Sequence, residues 1–304
     1  MRSKLLALLL IFVFLVGCSS PAVSVQGHTF TDAAGQTVTV EKQPRKVAVL
    51  FSSFAEIWTL AGGTVSVTVG ESIERGFVPE GTALVDSGAG KTIDHELLLA
   101  AQPDFVIGSA DIPAHEDACR MARQVGIPAA LFRVDTFEDY LSTLKICTEL
   151  TENNEAYAQW GTAVEQEIGQ LKETMPELET AYLFIRAGSS YSATKAKRAP
   201  DHFVCTMLDE LGGYNIADAA PVLLDGLSLE EILLRDPDHI FLTTMGDETA
   251  AKAYIQKLFS QEGWRELTAV KEGRYTFLPK DLFHYKPNAR WAQAYAILAE
   301  SLCS

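Results

Sequence analysis

Residues 153–174, NNEAYAQWGTAVEQEIGQLKET, form the stretch on which the predicted fold depends. Large apolar side chains recur there at steps of three and four residues, which places them along one face of a helix. They are Tyr157, Trp160, Val164, Ile168 and Leu171. Met175-Pro176 ends the helix, because a proline excludes its predecessor from the helical conformation. At about 1.5 Å per residue the helix is roughly 33 Å long, about the width of a small domain.

Both flanks of this helix alternate between strand and helix patterns. Residues 28–150 begin with a hairpin pattern at 29–40 and continue as alternating strands and helices, and residues 177–304 show a second alternation that ends in a helix. Such βα units build parallel sheets. We therefore predict an α/β fold of two Rossmann-like lobes with parallel sheets, joined by a long helix at 151–176, with a ligand cleft between the lobes.

An internal repeat indicates that the two lobes are related. Glu96 opens the segment ELLLAAQPDFVI and Glu230 opens EEILLRDPDHIF, so that a glutamate, an apolar helix, Pro-Asp and a strand follow in the same phase. Helix, Pro-Asp and strand is also a common joint of α/β proteins, and a glutamate in a first turn favours the helix dipole. That alternative explains the joint but not the paired position of the two glutamates.

Three local patterns give more detailed expectations. Ser53 and Glu56 have the spacing of a capping box that opens a helix after the first buried strand, and Ser228 and Glu231 have the same spacing. Residues 70–92 are rich in glycine and carry no clear period, so we expect a long loop that holds Arg75.

The first residues of the chain are predicted to be an export signal. Arg2 and Lys4 precede an apolar run from Leu5 to Val16, which is too short to span a bilayer, so residues 1–17 are interpreted as a signal peptide. LVGC at residues 15–18 resembles a lipobox, which implies that Cys18 is lipid-modified and is the first mature residue. Residues 18–27 then form a tether. Ordinary secretion with an incidental cysteine is the alternative.

Charge and cysteine content exclude some partners. The net charge of −15 repels nucleic acid and anionic lipid, so neither is an expected partner. The five cysteines show no CxxC or other metal-type spacing, and we predict no direct metal site. Cys119, Cys147 and Cys205 lie in helical, largely apolar patterns, which favours buried free thiols over disulfides.

The order of these motifs resembles the class III substrate-binding proteins of ABC importers, which carry ferric siderophores, haem or cobalamin. The lipobox, the hairpin TDAAGQTV, the two Glu-x6-Pro-Asp helices and the central helix all contribute, and WRELTAVKEGRY at 264–275 and KPNARW at 286–291 are also similar to that family. The resemblance implies a binding protein without catalytic activity. It further implies a monomer, lipid-anchored outside the cytoplasmic membrane, that delivers a small metal chelate to a permease dimer.

In that family one glutamate on each lobe docks onto arginines of the permease, which by position implies Glu96 and Glu230 here. Two charge-assisted contacts that must form together would select one lobe geometry. Glu231 is the neighbouring candidate. Its predicted capping bond to Ser228 gives it a local role, so we favour Glu230.

The ligand site is expected at the carboxyl ends of the strands, in the cleft. The candidate ligand-binding residues are Phe51, Ser52, Arg75, Arg186, Tyr191, Arg198, His202, His284 and Tyr285. Basic residues gather between Arg186 and Arg198 in a chain that is otherwise acidic, which indicates an anionic ligand. A solvated basic loop is the alternative interpretation.

We expect no resident cofactor and an iron(III) chelate of the siderophore type as ligand, bound without direct iron coordination. Haem would need an axial ligand, which Tyr191, His202, His284 or Tyr285 could supply. Cobalamin needs less basic charge and is the third candidate.

Two other functional classes would each require a different site. A lipid-anchored hydrolase would require a nucleophile beside a base, for example Ser52 or Ser190 with His284. A zinc- or manganese-binding importer protein would require several histidines and carboxylates converging in the cleft, and the six histidines are widely scattered.

Overall fold

The computed structural model describes residues 27–86, 92–177 and 179–303 and contains two α/β lobes, each built on a five-stranded sheet. The fold class predicted from the sequence is therefore confirmed. The predicted signal peptide, the lipidated Cys18 and nearly all of the tether lie outside the described residues. Within the described part of the chain, no helix is both long enough and apolar enough to cross a membrane.

The N-terminal lobe begins with an antiparallel hairpin, β1 (Gly27–Thr31) and β2 (Thr37–Glu41), as the alternating pattern predicted. The parallel sheet contains β3 (Val47–Val49), β4 (Val65–Thr68), β5 (Ala83–Leu84), β6 (Phe105–Ser109) and β7 (Ala129–Phe132), in the order β5-β4-β3-β6-β7. Its helices are α1 (Ser52–Leu60), α2 (Gly70–Glu74), α3 (His95–Ala100), α4 (Pro113–Gln124) and α5 (Phe137–Thr151).

The connecting helix is continuous but not uniform, since α6 (Asn154–Tyr157) passes through a π-helical turn (Ala158–Thr162) into α7 (Ala163–Thr174). The wider turn moves the buried face by one residue, so Ala156 and Gly161 are buried while Trp160 is only partly buried. The hydroxyl of Tyr140 donates to the carbonyl oxygen of Trp160 at 2.9 Å. The predicted stripe is therefore confirmed: Val164 and Ile168 are buried, and Tyr157, Trp160 and Leu171 are partly buried and pack against the same core.

The C-terminal lobe repeats the architecture. Its strands are β8 (Ala181–Ala187), β9 (Lys195–Ala196), β10 (Tyr214–Asn215), β11 (His239–Thr244) and β12 (Tyr275–Phe277). Strands β10-β8-β11-β12 are parallel, and β9 pairs antiparallel with β8. Its helices are α8 (Phe203–Glu210), α9 (Ile216–Ala219), α10 (Leu229–Arg235), α11 (Glu248–Phe259), α12 (Thr268–Lys271), α13 (Lys280–Phe283) and α14 (Trp291–Leu302).

The internal repeat corresponds to one structural unit in each lobe. The carboxylate of Asp104 accepts from the backbone N–H of Lys46, at the start of β3, at 2.9 Å. The carboxylate of Asp238 accepts from the backbone N–H of Ala181, at the start of β8, at 2.8 Å. In each lobe the aspartate therefore links the start of its own strand, β6 or β11, to the start of the neighbouring strand, β3 or β8, by satisfying a backbone donor there.

The helices that precede these aspartates are also equivalent. Both are followed by a residue in the left-handed region, Gln102 with φ of 48° and Asp236 with φ of 37°. Glu96 and Glu230 consequently lie in the first turns of corresponding helices, and both are exposed. The two glutamates therefore occupy equivalent positions in the two lobes.

One apolar core runs through both lobes at their junction. Trp291, the first residue of α14, is fully buried, with its ring centre 6.0 Å from that of Phe137 and 5.6 Å from that of Phe203. Phe137 belongs to the N-terminal lobe and Phe203 to the C-terminal lobe. Since α14 also packs along α7, the C-terminal segment fixes the two sheets relative to each other.

The predicted capping box at Ser53 was wrong, and the predicted loop at 70–92 is interrupted by a short helix and a short strand. Phe51 is the N-cap of α1 and makes no side-chain capping bond, and Glu56 instead accepts from the side chain of Asn288 at 2.7 Å. Residues 70–74 form α2, and Asp86 accepts from the N–H of Gly70 at its start. The partner of Glu56 is distant in sequence, which the local spacing of a capping box does not reveal.

Candidate functional site

A cavity of about 260 Å³ lies between the two lobes. It is lined by Asp135, Arg186, Ala199, Pro200, Asp201, His202, Phe203, His284 and Lys286. Asp135 follows β7 of the N-terminal lobe, whereas Arg186 lies near the carboxyl end of β8 in the other lobe. The cavity therefore occupies the position at which open α/β sheets bind ligands.

Three of the predicted ligand residues, Arg186, His202 and His284, line this cavity. The others do not, namely Phe51, Ser52, Arg75, Tyr191, Arg198 and Tyr285. The prediction missed Asp135, Phe203 and Lys286. Asp135 could have been found as the polar residue between the strand at 129–132 and the helix that Thr136 caps.

Arg186 is the cation of the cavity whose charge is least offset. It lies in β8 opposite Lys195 of β9, and among the described residues it has no carboxylate within ion-pair distance. Lys286, in contrast, pairs with Asp135 at 3.1 Å and lies 4.8 Å from the centre of the Phe203 ring. An anion that enters the cavity therefore meets Arg186 without displacing a protein carboxylate.

His202 is held in place by its backbone neighbour and by two aromatic rings. It is the N-cap of α8, where the N–H of Val204 donates to its Nδ1 at 3.3 Å. Its ring centre is 4.6 Å from that of Phe184 and 5.0 Å from that of Phe203. Burial, and then the charges of Lys286 and Arg186, lower its pKa to about 3, so the ring is neutral at physiological pH.

His284 is the second imidazole of the cavity and contacts the Tyr285 ring edge-on at 5.0 Å. Its pKa is lowered by burial and by the charges of Lys280 and Arg186. Both cavity histidines therefore have lowered pKa values, mainly through burial and in smaller part through the neighbouring positive charges.

Arg75 does not line the cavity but lies beside it, close enough to His284 to act on its pKa. Its guanidinium carbon lies 4.0 Å from the centre of the Tyr285 ring, and its Nη1 donates to Ser52 Oγ at 2.9 Å. Burial lowers its pKa, while the carboxylates of Glu56 and Glu71 act in the opposite direction. Arg75 thus contacts Ser52 of the N-terminal lobe and Tyr285 of the C-terminal lobe, and Glu56 and Glu71 partly offset its charge.

The predicted hydrolytic pairs are not assembled. Ser52 Oγ donates to Glu71 and accepts from Arg75, and Ser190 Oγ lies 3.4 Å from that of Ser192. In the described ranges neither serine hydrogen-bonds to a histidine. Nor, within those ranges, does any group of three or more His, Cys, Asp or Glu side chains have an arrangement that could hold a metal ion.

The thiols agree with the sequence prediction. Cys119, Cys147 and Cys205 are free and buried, and Cys303 is free and exposed.

Outside the cavity, the environment of the predicted docking residues differs from expectation in one respect. Ser228 makes no side-chain capping bond, so the prediction that Glu231 is the capping partner of Ser228 was wrong. Glu231 instead pairs with Arg235 at 3.5 Å, whereas Glu230 and Glu96 have no ion-pair partner among the described residues. Glu230 remains the freer carboxylate on α10.

Acid is expected to destabilise the fold through two neutral histidines. Burial lowers the pKa of His239 to about 4, and its Nε2 lies 2.9 Å from the hydroxyl of Thr276. Histidines of the unfolded chain titrate near 6.5, so below that pH the unfolded state binds protons that the folded state does not. The free energy of unfolding is therefore unaffected by these histidines above pH 6.5. It decreases as the pH falls below 6.5, down to about pH 4 for His239 and about pH 3 for His202. Each contributes about 1.4 kcal/mol per pH unit.

Urea denaturation at pH 7, 6, 5 and 4.5 checks this expectation. Burial raises the pKa of Glu56 and Asp209, which acts in the opposite sense, so the comparison is made with a His239→Gln variant. The free-energy difference between wild type and variant should shrink by about 1.4 kcal/mol per pH unit below pH 6. A difference independent of pH would contradict a neutral, buried His239.

The comparisons with known proteins agree with this geometry. The sequence profile described as "Periplasmic binding protein" matches residues 47–282. The chain is 26% identical to the uncharacterized ABC transporter substrate-binding lipoprotein YvrC of Bacillus subtilis, over 97% of this chain and 95% of the relative. It is 23% identical to a vitamin B12-binding protein of Pectobacterium carotovorum, over 68% and 74% of the two chains.

Two solved structures share the fold. Staphylococcus aureus SirA complexed with staphyloferrin B superposes with a TM-score of 0.67 at 16% identity, covering 90% of this chain and 97% of that one. The periplasmic vitamin B12-binding protein BtuF of Vibrio cholerae gives a TM-score of 0.68 at 19% identity, covering 86% and 97%. Because the profile match extends over most of the two-lobed fold, the chain belongs to the periplasmic binding protein family.

Proposed function

We propose that the chain is the substrate-binding lipoprotein of an ABC importer and captures an iron(III) chelate of the siderophore type outside the cytoplasmic membrane. It acts as a monomer, anchored by the lipid on Cys18, and delivers the chelate to a permease dimer. The family, the lipobox resemblance and the relative named a substrate-binding lipoprotein support the general role. The choice of an anionic chelate depends on the chemistry of the cavity.

The observation that carries the choice is the uncompensated guanidinium of Arg186. A guanidinium presents several donors in one plane and binds carboxylate or catecholate oxygens through paired hydrogen bonds. Two neutral histidines and Lys286 surround it, so the site offers donors and positive charge at one wall. A neutral ligand would leave the charge of the partly buried Arg186 without a partner in the cavity.

Cavity size limits how the chelate is held. Ligand pockets of proteins commonly measure about 300–1,000 Å³. The cavity of about 260 Å³ is slightly smaller. It accommodates the anionic edge of a chelate, and the remainder must extend toward the cleft opening or separate the lobes. In either case the basic wall contacts the charged periphery of the ligand and not its metal centre.

Delivery is assigned to Glu96 and Glu230. Both are exposed, both occupy the first turn of corresponding helices, and neither has an ion-pair partner among the described residues. Two carboxylates at equivalent positions of the two lobes suit a permease that presents one basic site per subunit.

Intrinsic tryptophan fluorescence provides the decisive titration, since Phe203 lines the cavity and contacts Trp291. The panel contains ferric citrate, a ferric tris-catecholate, haemin and cyanocobalamin. Saturable quenching by a ferric chelate supports the proposal. Preference for cyanocobalamin would favour the function of the Pectobacterium relative, and preference for haemin a haem-binding role.

Arg186→Ala should weaken binding of the ferric chelate about 10- to 100-fold, because one hydrogen-bonded charge contact is worth roughly 1.5–3 kcal/mol. The loss should be larger at low salt, where the charge is less screened. The same titration measures it, with Arg265→Ala as control, since Arg265 is exposed and distant from the cavity. Equal affinity of Arg186→Ala and wild type would remove Arg186 from the site.

A further inference from the structure

The ring of His202 has one nitrogen occupied and one free. Nδ1 accepts the backbone N–H of Val204 at 3.3 Å, as the N-cap of α8 requires. Nε2 has no hydrogen-bond partner among the described residues. Contacts with Phe184 and Phe203 restrict the ring plane. A 180° flip within that plane would place a ring carbon opposite the N–H of Val204 and break the cap, so the cap determines which nitrogen faces Val204.

This arrangement determines the tautomer. A nitrogen that accepts a hydrogen bond carries no proton, so the proton of the neutral ring is on Nε2. Arg186 and Lys286 line the same cavity and disfavour a second proton on the ring. His202 therefore presents an N–H donor and no lone pair to any ligand in the cavity.

We propose that His202 is a specificity-determining residue whose Nε2–H donates to an oxyanion of the ligand and which does not coordinate a metal. The proposal rests on the proposed function and makes it more specific. The ligand is a chelate whose iron is already fully coordinated and whose outer oxygens meet Arg186 and His202 side by side.

Metal coordination would require the opposite tautomer. To bind iron, Nε2 must offer its lone pair, and the proton must move to Nδ1. Nδ1–H would then face the N–H of Val204, so two donors would oppose each other and the first turn of α8 would lose its cap. The same geometry that suits an oxyanion therefore disfavours His202 as an axial ligand of haem.

The first arm of the test is independent of any ligand. In uniformly ¹⁵N-labelled protein, a long-range proton–nitrogen correlation spectrum distinguishes protonated from unprotonated ring nitrogens, and His202→Ser assigns the signal. We expect a neutral ring protonated at Nε2 from pH 8 down to pH 5. A ring protonated at Nδ1 would overturn the proposal.

The second arm uses His202→Ser, because serine retains an N-cap acceptor for Val204 but offers no ring donor. Its affinity for the ferric tris-catecholate should fall about 10- to 100-fold, the effect of one hydrogen bond to a charged acceptor. Its helical circular dichroism should match wild type, which excludes misfolding as the cause. His202→Asn retains both a cap and an amide donor and should recover part of the affinity.

Three results would contradict the proposal in different ways. Equal chelate affinity of His202→Ser and wild type would remove the donor role alone. A haemin complex of wild type with an imidazole-type Soret band that His202→Ser lacks would show coordination instead. If wild type binds none of the chelates, the proposed function fails and this inference fails with it.

Discussion

Replacing Glu96 and Glu230 together with alanine is expected to reduce uptake at least 100-fold while the ligand affinity of the purified protein is unchanged. Both carboxylates are exposed, and neither lines the cavity. Each would contribute a charge-assisted contact of roughly 1.5–3 kcal/mol to docking, and the second contact forms intramolecularly once the first is made. Uptake of ⁵⁵Fe chelate in proteoliposomes with the cognate permease and ATPase measures the first quantity, and fluorescence titration the second.

A matched control is available on the same protein. Glu116 and Glu262 are exposed glutamates outside the repeat, so Glu116→Ala with Glu262→Ala removes the same charge without affecting docking. Glu231→Ala tests the neighbouring candidate, and it should retain uptake because Glu231 already pairs with Arg235. Normal uptake by the Glu96 and Glu230 double variant would end the docking proposal.

The sequence predicted well where a residue's role is decided within its own element. ELLLAAQPD and EEILLRDPD predict an apolar helix with a glutamate in its first turn, and the structure has α3 and α10 there. The left-handed residues after these helices and the long-range bonds of Asp104 and Asp238 to the neighbouring strands were not predicted. The parallel sheets follow from the alternation of βα units, because each unit determines the direction of its strand.

It predicted poorly where distant segments meet. Glu56 has the spacing of a capping residue, but Asn288, far away in the chain, donates to it. The stacking of Arg75 on Tyr285, far away in the chain, and its proximity to Glu56 and Glu71 were not predicted either. Lys286 and Asp135 form one wall of the cavity from opposite lobes. No periodicity encodes such pairs, since they depend on how α13 and α14 cross the junction.

That junction also limits how far the lobes can move. Asn288 is fully buried and donates to the carbonyl oxygen of Ser53 at 3.0 Å, and the fully buried Trp291 follows three residues later. A large hinge rotation would expose this apolar and hydrogen-bonded contact to water. Ligand binding should therefore act through small adjustments at the cavity walls, and the stability of the two lobes should be coupled.

Trp291→Ala is expected to lower the free energy of unfolding by about 3–5 kcal/mol and to destabilise both lobes together. Its fully buried ring contacts Phe137 of one lobe and Phe203 of the other, so truncation leaves a cavity that neither lobe can fill alone. Urea denaturation followed by circular dichroism and by fluorescence should give one coincident transition, shifted to lower urea. A loss below 1 kcal/mol, or two separate transitions in wild type, would contradict a shared core.

Two further substitutions test how the polarity and the burial of a tryptophan ring contribute to stability. Trp291 Nε1 is buried without a hydrogen-bond partner among the described residues, which is itself unfavourable. Trp291→Phe removes that donor while it keeps an aromatic ring between Phe137 and Phe203, so its cost should be less than half that of the alanine variant. Trp160→Ala, at a partly buried position on the π-helical turn, should cost less than Trp291→Ala as well, because solvent can occupy the space left by the ring. If Trp291→Phe lowered the free energy of unfolding as much as Trp291→Ala, the close fit of the indole would determine the stability of the junction. The coupling of the lobes would then depend on that fit and not on the apolar area that the ring buries.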